Sequence, residues 1–234
     1  TQVMINAAIP DIAMRWWALP VDGIGLVRIE FIISAQIGIH PMALLYPERI
    51  RDPLLVDKIK SLVAGFTQAS DFFVEKLALG IGKIAASRYP QAVIVRMSDF
   101  KTNEYRDLPG GKYFERKEEN PMLGLRGASR YYDRTYREAF LLECEAIKRA
   151  LTLMGFDNII VMIPFCRTPE EADRVLAEMS SVGLQRGEAG LQVYMMCEVP
   201  SNIILAEQFA QRFDGFSIGS NDLTQLVLGI DRDS

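Results

Sequence analysis

Histidine is nearly absent from this chain of 234 residues; there is one, His40. Cysteine is scarce too. Cys144, Cys166 and Cys197 are odd in number and form no CxxC pair, which excludes a disulfide framework or a thiolate zinc site as the organising device. No Lys/Arg block occurs, and 26 basic residues against 30 acidic ones leave a net charge of −4. A nucleic-acid groove needs clustered positive charge to replace counterions, so no nucleic-acid partner is expected. No apolar run reaches the roughly 18–20 residues that span a bilayer. The opening Thr1-Gln-Val-Met-Ile also lacks the basic segment and apolar core of a signal peptide. The expectation is a cytoplasmic protein with no membrane partner.

What is present is ordinary in bulk, with 49% apolar and 24% charged residues. The length allows one large domain or two small ones. No composition shift or Gly/Ser linker divides the chain, so residues 1–234 read as a single domain. Apolar β-rich runs alternate with helical patterns throughout. Strand candidates are Val3–Ala8, Gly23–Phe31, Ala92–Met97, a weaker run over Met122–Gly127, Asn158–Pro164, Gln192–Cys197 and Phe216–Gly219. Helical sequence runs from about Leu54 to Arg88, and again from Tyr132 to Met154. In the latter, Phe140, Cys144, Ile147, Leu151 and Met154 keep the 3.6-residue period and Gly155 offers a stop. Thr168-Pro-Glu-Glu combines an N-cap, Pro at the first helical position and a capping-box Glu171. Further helices are expected over Ser201–Arg212 and from Leu223 to Leu228.

Strands alternating with helices imply a parallel α/β sheet. Seven of them in this order fit a (β/α)₈ TIM barrel with its eighth strand missing. No GxGxxG follows a strand, which disfavours a dinucleotide-binding open sheet.

Chemistry in a (β/α)₈ barrel sits at the C-terminal strand ends. Those ends carry Arg28 and Glu30, then Arg96, Ser98 and Asp99, then Arg126-Gly127, Glu198, and finally Ser220, Asn221 and Asp222, with Arg232 beyond. Guanidinium forks match phosphate and carboxylate oxygens. Two carboxylates from adjacent strands, Glu198 and Asp222, suit Mg²⁺, and Gly219 lets the backbone approach a ligand. Taken singly, each has a structural alternative: an ion-pair partner for an arginine, a turn or helix cap for Glu-Val-Pro or Asn-Asp. The conjunction of four arginines and two carboxylates favours anion recognition beside a divalent metal.

At these residues the sequence resembles the C-terminal phosphoenolpyruvate/pyruvate-binding domain of the PEP-utilising enzymes. The segments that carry the resemblance are GIGLVRIEFI at 23–32, VIVRMSDFKTNEY at 93–105, NPMLGLRGASRYY at 120–132, MIPFCRTPEEA at 162–172, MMCEVPSN at 195–202 and FDGFSIGSNDLTQLVLGIDRDS at 213–234. The resemblance implies an incomplete PEP/pyruvate-type barrel that is a fragment of a larger enzyme. It implies substrate binding by Arg28, Arg96, Arg126, Gly219, Ser220, Asn221 and, more loosely, Arg232, with Glu198 and Asp222 as Mg²⁺ ligands that also face substrate. Ser220 stands where many relatives have Thr. The implied reaction is ATP + pyruvate + water giving AMP + phosphoenolpyruvate + phosphate; the alternative within the family is the same domain of pyruvate phosphate dikinase or of Enzyme I of the sugar phosphotransferase system. In it a Mg²⁺-stabilised enolate accepts a phosphoryl group from a phosphohistidine on another domain, behind an ATP-grasp domain. A homodimer is implied as well.

Two departures stand out. His40, in Ile39-His-Pro-Met, lacks the Gly- and Thr-rich surroundings of a phosphohistidine and reads as a loop or helix-start residue. The family's proton-donating cysteine follows the eighth strand, and none of the three cysteines has its context, so no catalytic residue is expected within this chain. The isolated chain is expected to bind pyruvate-like ligands weakly and not to turn over ATP. A reading of another class is an inactive truncated barrel that serves association or ligand binding.

Overall fold

The computed structural model describes residues 1–231. Six strands among them form one wholly parallel sheet in sequence order: β1 (Met4–Ala7), β2 (Gly23–Arg28), β3 (Val93–Arg96), β4 (Ile159–Ile163), β5 (Val193–Cys197) and β6 (Gly215–Ile218). The sheet curls into a half-barrel, so that Asn6 of β1 and Ser217 of β6 line the same cavity on its concave side.

Alternation along the strands builds two apolar layers. Val93 and Val95 of β3, Val161 of β4 and Val193 of β5 point outward into the main core beneath the helices. Ile94, Met162 and Met196 point inward and pack with Leu26, Ile160 and Tyr194 into a small plug on the concave side. Both faces of the middle strands are therefore covered, which explains their continuous apolar sequence.

Five helices matter most: α1 (Pro53–Val63), α2 (Ala69–Ala86), α3 (Arg137–Thr152), α4 (Pro169–Ser181) and α5 (Ser220–Leu228). The helical run expected from Leu54 to Arg88 breaks at 64–68, where Gly65 and the Gln68 cap intervene; Asp71 accepts from the Gln68 N–H. Phe72, Phe73, Leu77, Ile81 and Ile84 give α2 a wholly buried stripe. In α3, Phe140, Cys144 and Ile147 are fully buried, and Gly155 turns left-handed beyond its end. Thr168 caps α4 by accepting from Glu171 N–H, while Glu171 itself accepts from Arg167 N–H. The helix expected over Ser201–Arg212 is two short turns, Pro200–Ile204 and Ala206–Ala210, joined at Leu205.

One expected strand does not exist. Residues 122–127 form turns, because Asn120, Pro121 and Gly124 fold the chain back on itself and its amides find partners off the sheet. The Leu125 N–H donates to the Glu118 carboxylate. Arg126 thus comes from a loop, and the sheet has six strands where seven were expected. No helix among the described residues is long and apolar enough to cross a membrane.

Glu143 sits wholly inside the fold on α3 and accepts from the Ser98 N–H, the Ser98 hydroxyl and Tyr136. Burial outweighs these donors and pushes its carboxyl up to about 7, so the fold favours the protonated form. Its contribution to stability is fully present below the ordinary glutamate range. It is lost as pH rises from there to about 7, by as much as about 3 kcal/mol. Denaturation of Glu143→Gln across that window is expected to lack this component. Parallel pH profiles for the two proteins would contradict the assignment.

Candidate functional site

The concave rim holds a cavity of about 410 Å³. Arg28, Arg96, Arg126, Glu198, Gly219, Ser220, Asn221 and Asp222 all line it, together with Asp99, Lys101 and Glu104. Arg232 lies outside the described residues. Arg28 and Arg96 are register partners at the ends of β2 and β3, so parallel pairing brings the two arginines to neighbouring positions on the rim.

The arginines differ in how they are held. Arg96 is buried; its Nη2 pairs with Glu30, and its Nη1 lies 3.5 Å from Asp99. Arg126 grips both oxygens of Asp99 at 2.9 Å through Nε and Nη2, and Nη2 also reaches Asp222 at 2.5 Å. Burial opposes the charge on both arginines, but the adjacent carboxylates outweigh it and hold them more firmly protonated than usual. Arg28 is exposed over the ring of Phe31 and makes no ion pair among the described residues. Lys101 faces the same cavity, 3.9 Å from Glu104.

Asp99, Glu198 and Asp222, all buried, bring carboxylate oxygens within 4.8 Å of one another. Glu198 is fixed from behind by the Phe165 N–H, which donates to Oε1 at 2.7 Å. Asn202 holds the Glu198 and Val199 amides. Burial first, and then the Asp99 charge, push the Glu198 carboxyl up to about 8. Three hard oxygen donors, one of them reluctant to ionise without a compensating cation, fit a small divalent metal.

Local backbone explains the closeness. A Cβ on Gly219 would lie 2.7 Å from both Cβ and Oε2 of Glu198, so its missing side chain makes room for the carboxylate as well as for any ligand. Gly127 adopts φ +57°, and a Cβ there would meet Phe165 Cβ at 2.6 Å. Phe165, itself at φ +45°, has two guanidinium groups over its ring, Arg126 at 4.2 Å and Arg167 at 4.7 Å from its centre.

The profile of the PEP-utilising enzyme family, PEP-binding domain, matches residues 1–234. The chain belongs to that family. Among curated relatives, the chain is 56% identical over its whole length to a protein of Synechocystis named phosphoenolpyruvate synthase. It is 52% identical to one of that name from Escherichia coli and 54% to one from Neisseria meningitidis. It spans 29% of the length of each.

Residue reading alone placed Asp99 and Glu30 at strand ends without giving them roles; Asp99 completes the acidic cluster and Glu30 balances Arg96. Their signal was acidic residues two or three positions from a rim arginine, in Arg28-Ile-Glu30 and Arg96-Met-Ser-Asp99. Lys101, Glu104 and Phe165 were missed. The cysteines stay out of the cavity, all three buried, with burial pushing their thiols up. Gly219→Ala is expected to displace Glu198 and to cost about 1–3 kcal/mol in chemical denaturation. Stability within 0.5 kcal/mol of the parent (roughly the scatter of neutral surface changes) would show that the packing is looser than the geometry indicates.

Proposed function

We propose that this cavity binds pyruvate and phosphoenolpyruvate as part of a phosphoenolpyruvate synthase, a phosphotransferase of the pyruvate, water dikinase type. The observation that carries the reading is the convergence of Asp99, Glu198 and Asp222 beside two buried guanidinium groups on one rim. The relatives' shared name supports the branch in which water takes the second phosphoryl group.

Glu198 and Asp222 would hold Mg²⁺, with Asp99 adjacent. When bound, the cation supplies Lewis-acid stabilisation of negative charge on substrate oxygens. Arg96 and Arg126 keep the acidic cluster charge-balanced in the dry part of the rim and present their remaining edges to a carboxylate or phosphoryl group. Arg28, exposed and without a carboxylate partner among the described residues, is the arginine most available to an incoming phosphoryl group. The hydroxyl of Ser220 and the amide of Asn221 orient the substrate. In the transfer, the enolate oxygen forms a P–O bond as the P–N bond of a phosphohistidine breaks. That histidine and the ATP-grasp region belong to other domains of the parent enzyme. Arg232 joins this reading only as a resemblance.

The curl of the sheet and its β-to-α order support an incomplete (β/α)₈ barrel of the PEP/pyruvate type over residues 1–234. Exposed apolar side chains near β6, Ile204, Ile218 and Leu228 among them, support a homodimer.

Oxalate, which mimics the enolate of pyruvate, tests the site by calorimetry. Binding is expected only with Mg²⁺, and Glu198→Gln is expected to weaken it by at least about tenfold, since even indirect supports of a metal site cost that much. Equal binding by both proteins would remove Glu198 from the site. Light scattering on the same sample is expected to give a dimer mass, and a monomer mass would count against the dimer.

A further inference from the structure

His40, the lone histidine, lies in a buried polar frame behind the cavity. It caps the helical turn Pro41–Leu45, with Nδ1 accepting from the Met42 N–H at 3.2 Å. That bond leaves the proton on Nε2, which donates to Glu115 Oε1 at 3.0 Å. Burial lowers the imidazole's affinity for a second proton, and its ring stacks on Phe114.

The same Glu115 receives Arg130 in a two-pronged pair, Nη1 to Oε1 at 2.6 Å and Nη2 to Oε2 at 3.0 Å. Arg130 is 1% exposed, the largest of the fully buried side chains. Its guanidinium lies against Tyr105 and Tyr136, 4.5 and 5.0 Å from their ring centres. The donors that remain, Nε and Nη2, both reach the Leu125 carbonyl, at 3.3 and 3.1 Å. That carbonyl belongs to the peptide that leads into Arg126. On the other side, Tyr105 shares a hydrogen bond with the Ser98 hydroxyl, and Ser98 immediately precedes Asp99.

A buried ion pair of this kind is a poor source of net stability, because desolvating two charges offsets most of their attraction. Its distinctive product here is geometric. Residues 122–127 have no strand partner to fix them, and the frame touches the residue before each member of the Arg126–Asp99 pair.

We propose that Arg130, locked by Glu115 and His40, is a positioning residue that sets the Leu125–Arg126 peptide and thereby the grip of Arg126 on Asp99 and Asp222. Arg167 holds the same loop from its outer side through the Gly124 and Arg126 carbonyls, so the loop is clamped between two guanidinium groups. Of these two, Arg130 alone packs on the Tyr105 ring, whose hydroxyl bonds Ser98 beyond the end of β3.

Two variants test this in the whole chain. Arg130→Lys keeps the charge and loses the fork. Arg130→Met with Glu115→Gln removes both charges together and leaves no unpaired one. The first readout is the Arg126 Nε–H resonance, assigned with Arg126→Lys, whose exchange is slowed by the bond to Asp99. The second is Mg²⁺-dependent oxalate affinity. Both variants are expected to speed Nε–H exchange and to weaken oxalate binding roughly tenfold, the usual cost of losing an indirect support. The double variant is expected to do so even where its melting temperature matches the parent. Parent-like exchange and affinity within twofold in folded variants would overturn the proposal. Should either variant fail to fold, His40→Asn, which keeps the Met42 cap and loses the Glu115 bond, gives the same test with an expected threefold effect, and no change overturns it. The affinity arm rests on the reading of the cavity as a pyruvate site, whereas the exchange arm does not. Absence of oxalate binding by the parent chain would therefore sink that reading and leave the positioning role to be judged by exchange.

Discussion

One guanidinium group ties the site together. Arg126 reaches Asp99 beyond β3 and Asp222 in the first turn of α5, and so spans strand ends that are far apart in sequence. Three carboxylates within 4.8 Å would repel one another in a dry pocket without such a cation. The attraction of Arg126 and Arg96 for them keeps Asp99 and Asp222 in place, while burial first, and then the Asp99 charge, push the Glu198 carboxyl up to about 8. Such a cluster is poised for an added divalent cation.

The fold supplies the rest by simple means. Parallel pairing puts every strand's C-terminal end on one rim, and register sets Arg28 beside Arg96. Two-faced strands pack Val93 and Val95 outward and leave Ile94 inward beneath the charged rim, so apolar layers hold the ionic one. Glycine at 219 lets Glu198 and the start of α5 approach more closely than any side chain would permit.

Much of this was legible in the residues. Strand β4 is an unbroken apolar run, the α3 stripe keeps its period, and the α4 cap is a local motif; each is set by chemistry within a few residues. The rim arginines and carboxylates were legible because they stand just after such strands. Residues 122–127 misled: their apolar residues suggest a strand, but the Leu125 amide finds Glu118 and the Leu125 carbonyl finds Arg130, partners that no local pattern reveals. Asp99 gained its place for the same reason, since its bonds to Arg126 cross 27 positions. His40 was readable as a helix-start residue, and Nδ1 does cap its turn. Its link to Glu115, 75 positions away, was not.

We propose that the acidic cluster beside Arg126 is where a divalent cation and an oxyacid meet. A crystal of the protein grown with Mn²⁺ in place of Mg²⁺, and with oxalate, tests it through anomalous scattering. A single strong peak is expected within bonding distance of Glu198 and Asp222 carboxylate oxygens, with oxalate between that peak and the rim arginines. A peak elsewhere, or oxalate bound away from those carboxylates, would contradict it.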